Sequence, residues 1–583
     1  MAQGFALGEQ RPLPGLPGVT VQRDVPCRMR DGVTLYADVY RPAGDGPFPV
    51  VLMRLPYDKT QAENITYSHP SWYARHGYIV VVQDVRGCCV SEGGFTPFLH
   101  EAADGYDAIE WAARLPGANG RVGMYGFSYA GATQLMPATL RPPSLVTICP
   151  ALTASQYYEG WTYNRGALAL AFTMSWAVDL ASREARKAKD DRAVGELSAA
   201  YASMQGWNWF LPLADFPPLS GQYGSYFRDW LAHPTYDDYW RRWSIDEDYS
   251  RLTVPALHVG GWYDVFLSGT VKNYLGMQSE AGSDVARAGQ KLLIGPWTHM
   301  PWAPASLNSE GVEPGIIDDL QLRWFDHFLK GEETGVLDAP VTLFVMGAET
   351  WRDYPDWPPP GSEPVRWFLH SDGRANSRFG DGALSLEAPG DEPPDLFTAD
   401  PMYPSVGIGG HSCCLSFVAP MGPADQRGTE SFNSVLVYTS EPLAEPRELI
   451  GDVSVTLYAA TTARDTDWTA RFCEVFPDGR SINLQEGIVR ARYRDSLSEP
   501  SLLEPDRVYR YDIPLGPVAV RIPAGNRLRV TVSSSDFPQW DRNLNTGGDL
   551  FHEPPSAAVV ATQTVLHNAE YASHLTVSTM RGA

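Results

Sequence analysis

The chain is short of positive charge, of framework cysteines and of long apolar runs, and each shortage closes off a class of function. Lys and Arg number 46 against 69 Asp and Glu, a net charge of −23. Nothing resembles a basic stripe, which excludes a nucleic-acid binder. The acidity favours solubility, and neutral or cationic substrates over anionic ones. No stretch approaches the roughly 18 apolar residues that a membrane span needs. Residues 1–19 lack the basic start and apolar core of a signal peptide and read as a flexible, Pro- and Gly-containing arm, which points to the cytoplasm. Seven cysteines occur, Cys88 beside Cys89 and Cys413 beside Cys414, without framework spacing, so reduced thiols are expected. Neither Cys-x-x-Cys nor His-Glu-x-x-His is present, so no metal is expected.

What is present divides into three textures across 583 residues, enough for several domains. Residues 1–155 alternate short apolar runs (Phe48–Met53, Tyr78–Val82, Val122–Tyr125, Leu145–Ile148) with helical patterns such as Glu101–Leu115. That alternation predicts a parallel sheet covered on both faces, and it resumes over 246–354 with Ala256–Val259, Lys291–Ile294 and a helix Asp318–Leu329. Residues 156–245 are rich in Trp and Tyr, include the helical stretch Ala167–Lys187, and read as an insertion roofing the carboxyl ends of the strands. Its aromatics are expected mainly in the core. After the proline cluster at 355–360, residues 355–583 alternate apolar and polar residues in short segments (Val453–Tyr458, Ala470–Val475, Val508–Ile513, Arg527–Ser533, Ala557–Leu566), which predicts a β-sandwich or jelly roll.

The chemistry starts at residues 121–134, where an apolar run leads into Gly126-Phe-Ser-Tyr-Ala-Gly131 and a helical segment. A strand–turn–helix around Gly-x-Ser is a nucleophile elbow, which exposes the hydroxyl of Ser128 on a strained corner. An ordinary glycine-rich turn would read much the same, and Ala130 stands where the generic motif has glycine. A serine hydroxyl attacks only when an imidazole takes its proton, and the imidazole needs a carboxylate to fix its tautomer. In this architecture the acid and then the histidine follow the serine, each just beyond a strand. His299 alone among the later histidines follows a strand candidate, while His258 lies inside one, His233 in the insertion and His327 in a helix. Asp264 follows an apolar strand closed by a Gly-Gly turn; Asp318 and Asp319 open a helix, where carboxylates are ordinary. Oxyanion donors are expected from the Tyr129 N–H and, in the absence of a His-Gly-Gly motif, from the Tyr57 hydroxyl in the loop Leu52–Lys59.

Arg54-Leu-Pro-Tyr-Asp-Lys59, Asp84-Val-Arg-Gly87 with Ser91-Glu-Gly-Gly94, Gly126-Phe-Ser-Tyr-Ala-Gly131, Gly261-Trp-Tyr-Asp-Val-Phe266, Gly295-Pro-Trp-Thr-His299, Val475-Phe-Pro-Asp-Gly-Arg480 and Ser533–Asn543 together resemble the cocaine esterase-like members of the X-Pro dipeptidyl-peptidase-like serine hydrolases. The resemblance runs from about residue 20 to the C-terminus. It implies an α/β fold: an α/β-hydrolase domain with a helical cap insertion and a C-terminal jelly-roll β-sandwich. It implies Ser128 as nucleophile, Asp264 and His299 as its partners, Tyr57 and the Tyr129 amide as oxyanion hole, and Trp161, Trp262 and Phe266 around the substrate. It also implies a carboxylic ester hydrolase acting on small-molecule esters through an acyl-enzyme, without cofactor, metal, nucleic acid or membrane, and with a homodimer allowed. X-Pro dipeptidyl-peptidase and α-amino acid ester hydrolase or β-lactam acylase activities are the alternatives. They need carboxylates for a substrate ammonium; Ala130 stands where amino-ester hydrolases carry glutamate, and Glu159 is another carboxylate within reach. A non-catalytic binding scaffold is the reading from a different class. The Cys88–Cys89 pair departs from the family pattern.

Overall fold

The computed structural model describes residues 11–12, 18–61, 67–299, 315–413, 418 and 420–581. The apolar runs of the first texture become strands β1 (Arg11–Pro12), β2 (Val19–Arg28), β3 (Thr34–Pro42), β4 (Phe48–Leu55), β5 (Ile79–Asp84), β6 (Ala118–Phe127) and β7 (Leu145–Ala151). A two-residue hairpin in the insertion, β8 (Tyr163–Asn164) and β9 (Ala167–Leu168), stands apart. The sheet resumes with β10 (Ala256–Tyr263), β11 (Gln290–Thr298), β12 (Val341–Val345) and β13 (Thr350–Tyr354). Its order is β1-β2-β3-β5-β4-β6-β7-β10-β11-β12-β13. The pairs from β5 through β12 are parallel, and antiparallel strands flank them on both sides. β5, β10 and β11 are buried along their whole length because helices cover both faces, which is why these strands read as continuous apolar runs.

The insertion carries helices Leu170–Lys187, Asp191–Ala202 and Ser225–Ala232. Its first turns differ from the expected single helix: Ala167–Leu168 pairs with Tyr163–Asn164, and the helix begins only at Leu170. Most of its aromatics are core, with Tyr157, Tyr158, Trp161, Tyr163, Trp176, Trp230, Trp240 and Trp243 buried, whereas Trp209 is exposed.

From Ser362 onward a second eleven-stranded sheet folds into a β-sandwich around its own apolar core. Its strands include Arg447–Thr461, Asp467–Val475, Ser481–Arg490, Tyr509–Ile522 and Arg527–Ser533. The expected strand at Ala557–Leu566 is confined to Ala561–Leu566, since a 3₁₀ turn occupies Pro555–Ala557. That core is continuous with Trp262, Tyr263, Leu292 and Leu343 of the first sheet, so the sandwich is docked on the β10–β12 side. Cys413 is disulfide-bonded, its partner lying outside the described residues, which corrects the expectation of reduced thiols; spacing along a sequence does not reveal pairing. Cys27, Cys88, Cys89, Cys149 and Cys473 are free. Among the described residues no helix is long and apolar enough to cross a membrane.

Candidate active site

β6 ends at Phe127 and the helix Tyr129–Ala138 begins at once, so Ser128 carries the whole change of direction. Its backbone sits at φ 60°, ψ −125°, a conformation that costs a non-glycine residue about 1–3 kcal/mol and survives only where its surroundings impose it. The Ser128 N–H is held by the Ala151 carbonyl at 2.9 Å, and small residues close the corner. A Cβ on Gly126, itself at φ +138°, would lie 2.6 Å from the Ala130 Cβ, and one on Gly131 would lie 2.7 Å from Thr153. Ala130 packs directly over Gly126, which leaves no room for a side chain at position 126.

Asp264 comes just after β10 and His299 just after β11, neighbouring parallel strands in register through Gly261 opposite Gly295. The Gly-Gly pair before Asp264 is not a turn, a correction to the sequence reading: Gly260 and Gly261 lie inside β10, and the chain bulges between Gly261 and Tyr263. Gly261 is required by close approach, since a Cβ there would meet the Trp297 carbonyl oxygen at 2.5 Å. The two strand ends meet the elbow in one hydrogen-bonded line. The Ser128 Oγ lies 3.0 Å from His299 Nε2, and His299 Nδ1 lies 2.7 Å from Asp264 Oδ1. All three are buried, Ser128 at 7% exposure, His299 at 3% and Asp264 at 1%.

Tyr57 lies two residues past β4, which pairs with β6 through Leu52 opposite Met124, so its loop opens beside the elbow. The Tyr57 hydroxyl accepts a hydrogen bond from Trp176 Nε1 at 3.1 Å, and burial pushes its pKa up. It therefore stays a neutral phenol with a proton to donate. Arg183 donates to the Tyr57 carbonyl at 3.1 Å and lies over its ring. Tyr129 opens its helix, where a backbone N–H has no partner in a preceding turn. Its side chain points away and donates to buried Glu101 at 3.0 Å.

Beside His299 the cap and the sheet build an aromatic wall. Phe266 meets the His299 ring edge-on at 5.0 Å, Trp161 stacks on Phe266 at 4.3 Å, and Phe98, Phe172 and Trp176 pack around Trp161. Trp161 and Phe266 are thus brought to the site. Trp262 is not, a correction: it is fully buried in the sandwich core, its Nε1 donating to the Phe344 carbonyl at 2.6 Å. The register shifts between Gly261 and Tyr263, so regular alternation fails at this strand end and both Trp262 and Tyr263 pack into the sandwich core. Glu159 is turned to a cavity of about 190 Å³ on the far side of Asp264, with Arg165 and Lys272, and its Oε2 accepts the Arg165 N–H. Trp176 and Arg183, which hold Tyr57, were not legible as site residues, because in sequence they are one aromatic and one cation in an amphipathic helix.

The chain is similar to known proteins over nearly its whole length. The profile of the X-Pro dipeptidyl-peptidase (S15 family) matches residues 31–301, and that of the X-Pro dipeptidyl-peptidase C-terminal non-catalytic domain matches 334–576. The cocaine esterase of Rhodococcus sp. (strain MB1 Bresler) is 35% identical over 571 residues, covering 95% of this chain and 98% of that protein. Among solved structures, an aminopeptidase from a marine sediment archaeon, Thaumarchaeota archaeon, superposes with a TM-score of 0.81 at 28% identity, covering 99% of each chain. An α-amino acid ester hydrolase shares the fold with a TM-score of 0.78 at 23% identity over 98% of each chain. With its two-sheet fold and an end-to-end match to the Rhodococcus enzyme, the chain belongs to the X-Pro dipeptidyl-peptidase (S15) family of serine hydrolases.

Proposed function

We propose that Ser128 is the nucleophile of a carboxylic ester hydrolase, with His299 as its base, Asp264 as the acid that orients it, and Tyr57 with the Tyr129 amide as the oxyanion hole. The observation that carries this reading is the unbroken line Ser128 Oγ–His299 Nε2–His299 Nδ1–Asp264 Oδ1 at 3.0 and 2.7 Å. As Oγ attacks the ester carbonyl, His299 Nε2 takes the hydroxyl proton, and Asp264 stabilises the resulting imidazolium through Nδ1–H. The Tyr57 O–H and Tyr129 N–H donate to the oxyanion of the tetrahedral intermediate. His299 then passes the proton to the departing alcohol oxygen, the C–O bond breaks, and water deacylates Ser128 by the same steps in reverse order.

A small neutral ester fits the surroundings. Trp161 and Phe266 offer an aromatic acyl wall, and the net charge disfavours anionic substrates. Amino-acid substrates find less support, since Ala130 offers no carboxylate at the elbow and Glu159 faces the far side of Asp264. We divide the chain into 1–155, 156–245, 246–354 and 355–583, supported by a first sheet that ends at Tyr354 and a second that starts at Ser362. The same reading takes the protein as cytoplasmic, supported by five free cysteines among the described residues. It allows a homodimer, for which exposed Phe379, Tyr403 and Phe432 on the sandwich offer apolar surface; a monomeric mass in light scattering overturns that part.

The test is hydrolysis of p-nitrophenyl butyrate, a benzoate ester and Ala-Pro-p-nitroanilide by the wild type and Ser128→Ala. Loss of several orders of magnitude in kcat is expected for Ser128→Ala, with an unchanged circular-dichroism spectrum. Turnover surviving the substitution sinks the serine assignment, and preference for the anilide replaces the esterase by a peptidase.

A further inference from the structure

Behind Asp264, on the side away from His299, the β-sandwich sends in a side chain that the reaction scheme does not use. His411 is held by two acceptors at once. Its Nε2 lies 2.7 Å from the carbonyl oxygen of Trp262, and its Nδ1 lies 2.9 Å from Glu486 Oε1. A carbonyl oxygen can only accept. Glu486 Oε1 also accepts from the His411 N–H at 2.6 Å and from Gln539 Nε2 at 3.1 Å, so it serves as an ionised acceptor. A neutral imidazole has one donor and one acceptor nitrogen; two acceptors require both nitrogens to donate, and the ring is an imidazolium.

The anchoring point is specific. Trp262 precedes Asp264 by two residues at the end of β10, and Asp264 itself is bridged to Ser412, the residue after His411. The loop reaches this far because Gly410 sits at φ +99°, where a Cβ would come within 2.4 Å of Glu486 Oε1. Tyr263 stacks on the His411 ring at 5.6 Å, and its hydroxyl donates to the Asn483 carbonyl at 2.9 Å, tying the same strand end to the sandwich again. The charged groups facing the ring are Glu486 and Asp264, with Arg471 behind Glu486 and with Glu159, Arg165 and Lys272 across the adjoining cavity. Burial alone would lower the His411 pKa, but the Glu486 charge and hydrogen bond, the Trp262 carbonyl and Asp264 raise it above its ordinary value. Burial alone would raise Glu486, yet His411 and Arg471 bring it to about 2.

Resting on the serine-hydrolase reading above, we propose that His411, clamped as a cation between Glu486 and the Trp262 carbonyl, is a positioning residue for Asp264. The β-sandwich then does more than wall the site. It supplies the contact that sets the height of the Asp264 carboxylate against His299, and a charge pair that leaves the electrostatic field at the triad nearly neutral. A triad of this kind is complete only when the sandwich is docked.

The experiment is the pH profile of kcat/KM and the kcat–KM split on p-nitrophenyl butyrate for H411Q, E486Q and the double variant, each checked for fold by circular dichroism and melting. H411Q removes the cation that touches Glu486 and leaves its carboxylate behind Asp264 with only Arg471, which is itself paired with Asp536. The added negative potential favours protonated His299, so the acid limb of kcat/KM moves to higher pH. Misplacement of Asp264 lowers kcat about ten- to a hundredfold, with KM little changed. E486Q removes the anion instead, so kcat falls but the acid limb does not rise. The double variant, with no charge at either position, returns the acid limb toward the wild-type pH while kcat stays low. Wild-type kcat and acid limb in folded H411Q overturn the proposal, as does a double variant whose limb stays where H411Q puts it. If H411Q does not fold, E486Q decides: a wild-type kcat there overturns the proposal. Ser128→Ala separates the two readings, because turnover in that variant sinks the serine assignment, whereas wild-type kinetics in H411Q with Ser128→Ala inactive sinks only the role of His411.

Discussion

Tyr57 makes the sharpest case at the scale of single residues. Its oxygen already receives the Trp176 N–H, so its one proton is left to point elsewhere. Removing it in Tyr57→Phe deletes a donor that matters where negative charge develops and little where substrate merely docks. We expect kcat to fall about 10²-fold or more with KM nearly unchanged, measured by steady-state hydrolysis of p-nitrophenyl butyrate. A KM effect without a kcat effect would return Tyr57 to a packing role. Ser128, Asp264 and His299 could be picked out in sequence because chemistry demands their types and the fold demands their order. Trp262 misled for an equally physical reason. Its motif neighbours Asp264 and Phe266 suggested the site, but at the bulge that ends β10 its indole packs into the sandwich core and donates to the Phe344 carbonyl.

At the scale of elements, the strand ends carry the geometry. Six apolar runs of the catalytic region reappear as strands, most of them extended at their ends by residues of mixed character, glycines among them, that strand pairing holds in place. Gly261 is such a residue: it keeps β10 and β11 close enough for Asp264 to meet His299. In Gly261→Ala the new methyl collides with the Trp297 backbone, which has no rotamer to yield. We expect a loss of about 1–3 kcal/mol, seen as a lower melting temperature, together with reduced kcat. A variant of wild-type stability and activity would show that the strands can part without cost. The bulge after Gly261 was hidden in sequence, since Gly-Gly signals a turn as readily as a close contact.

At the scale of the whole molecule, buried charge joins the parts. Arg490 on the sandwich strand Ser481–Arg490 is fully buried, paired at 2.9 Å with both Asp467 and Asp541. Its backbone N–H donates to the Arg165 carbonyl, and Asp541 takes the Leu168 N–H, so the hairpin of the cap is fastened to the sandwich. Arg490→Met would leave two buried carboxylates without their cation, a loss of about 3–5 kcal/mol. Denaturant unfolding measures it, and proteolysis should open the cap near residues 164–168 first.

A second buried cluster makes stability depend on pH. His567 lies between Asp395 at 2.9 Å and Glu392 at 3.2 Å. Burial would lower its pKa, but the two carboxylates raise it above its ordinary 6.5. Burial would raise Asp395 and Glu392, but hydrogen bonds, His567 among them, hold both below 3.8 and 4.5. The histidine's contribution is therefore whole below pH 6.5 and fades as pH rises through its folded value, while the carboxylates' contribution is whole above about pH 4.5 and fades on acidification. The melting-temperature gap between wild type and His567→Gln should be widest between about pH 4.5 and 6.5 and shrink above it. A gap independent of pH would mean that the cluster's charges contribute nothing.

By itself the sequence determined the alternation of buried strands and helices, the aromatic insertion, the β-rich third part and a serine, an acid and a histidine that each follow a strand of the first sheet. These are local matters: periodicity follows from which face is wet, and an elbow from which residues tolerate its backbone. Only the tertiary structure decided that Trp262 faces away, that Trp176 and Arg183 hold Tyr57, and that His411 and Glu486 of a separate sheet stand behind Asp264. Those contacts join residues 75 to 149 positions apart, and neither a side chain's type nor its spacing records which distant surface will close over it.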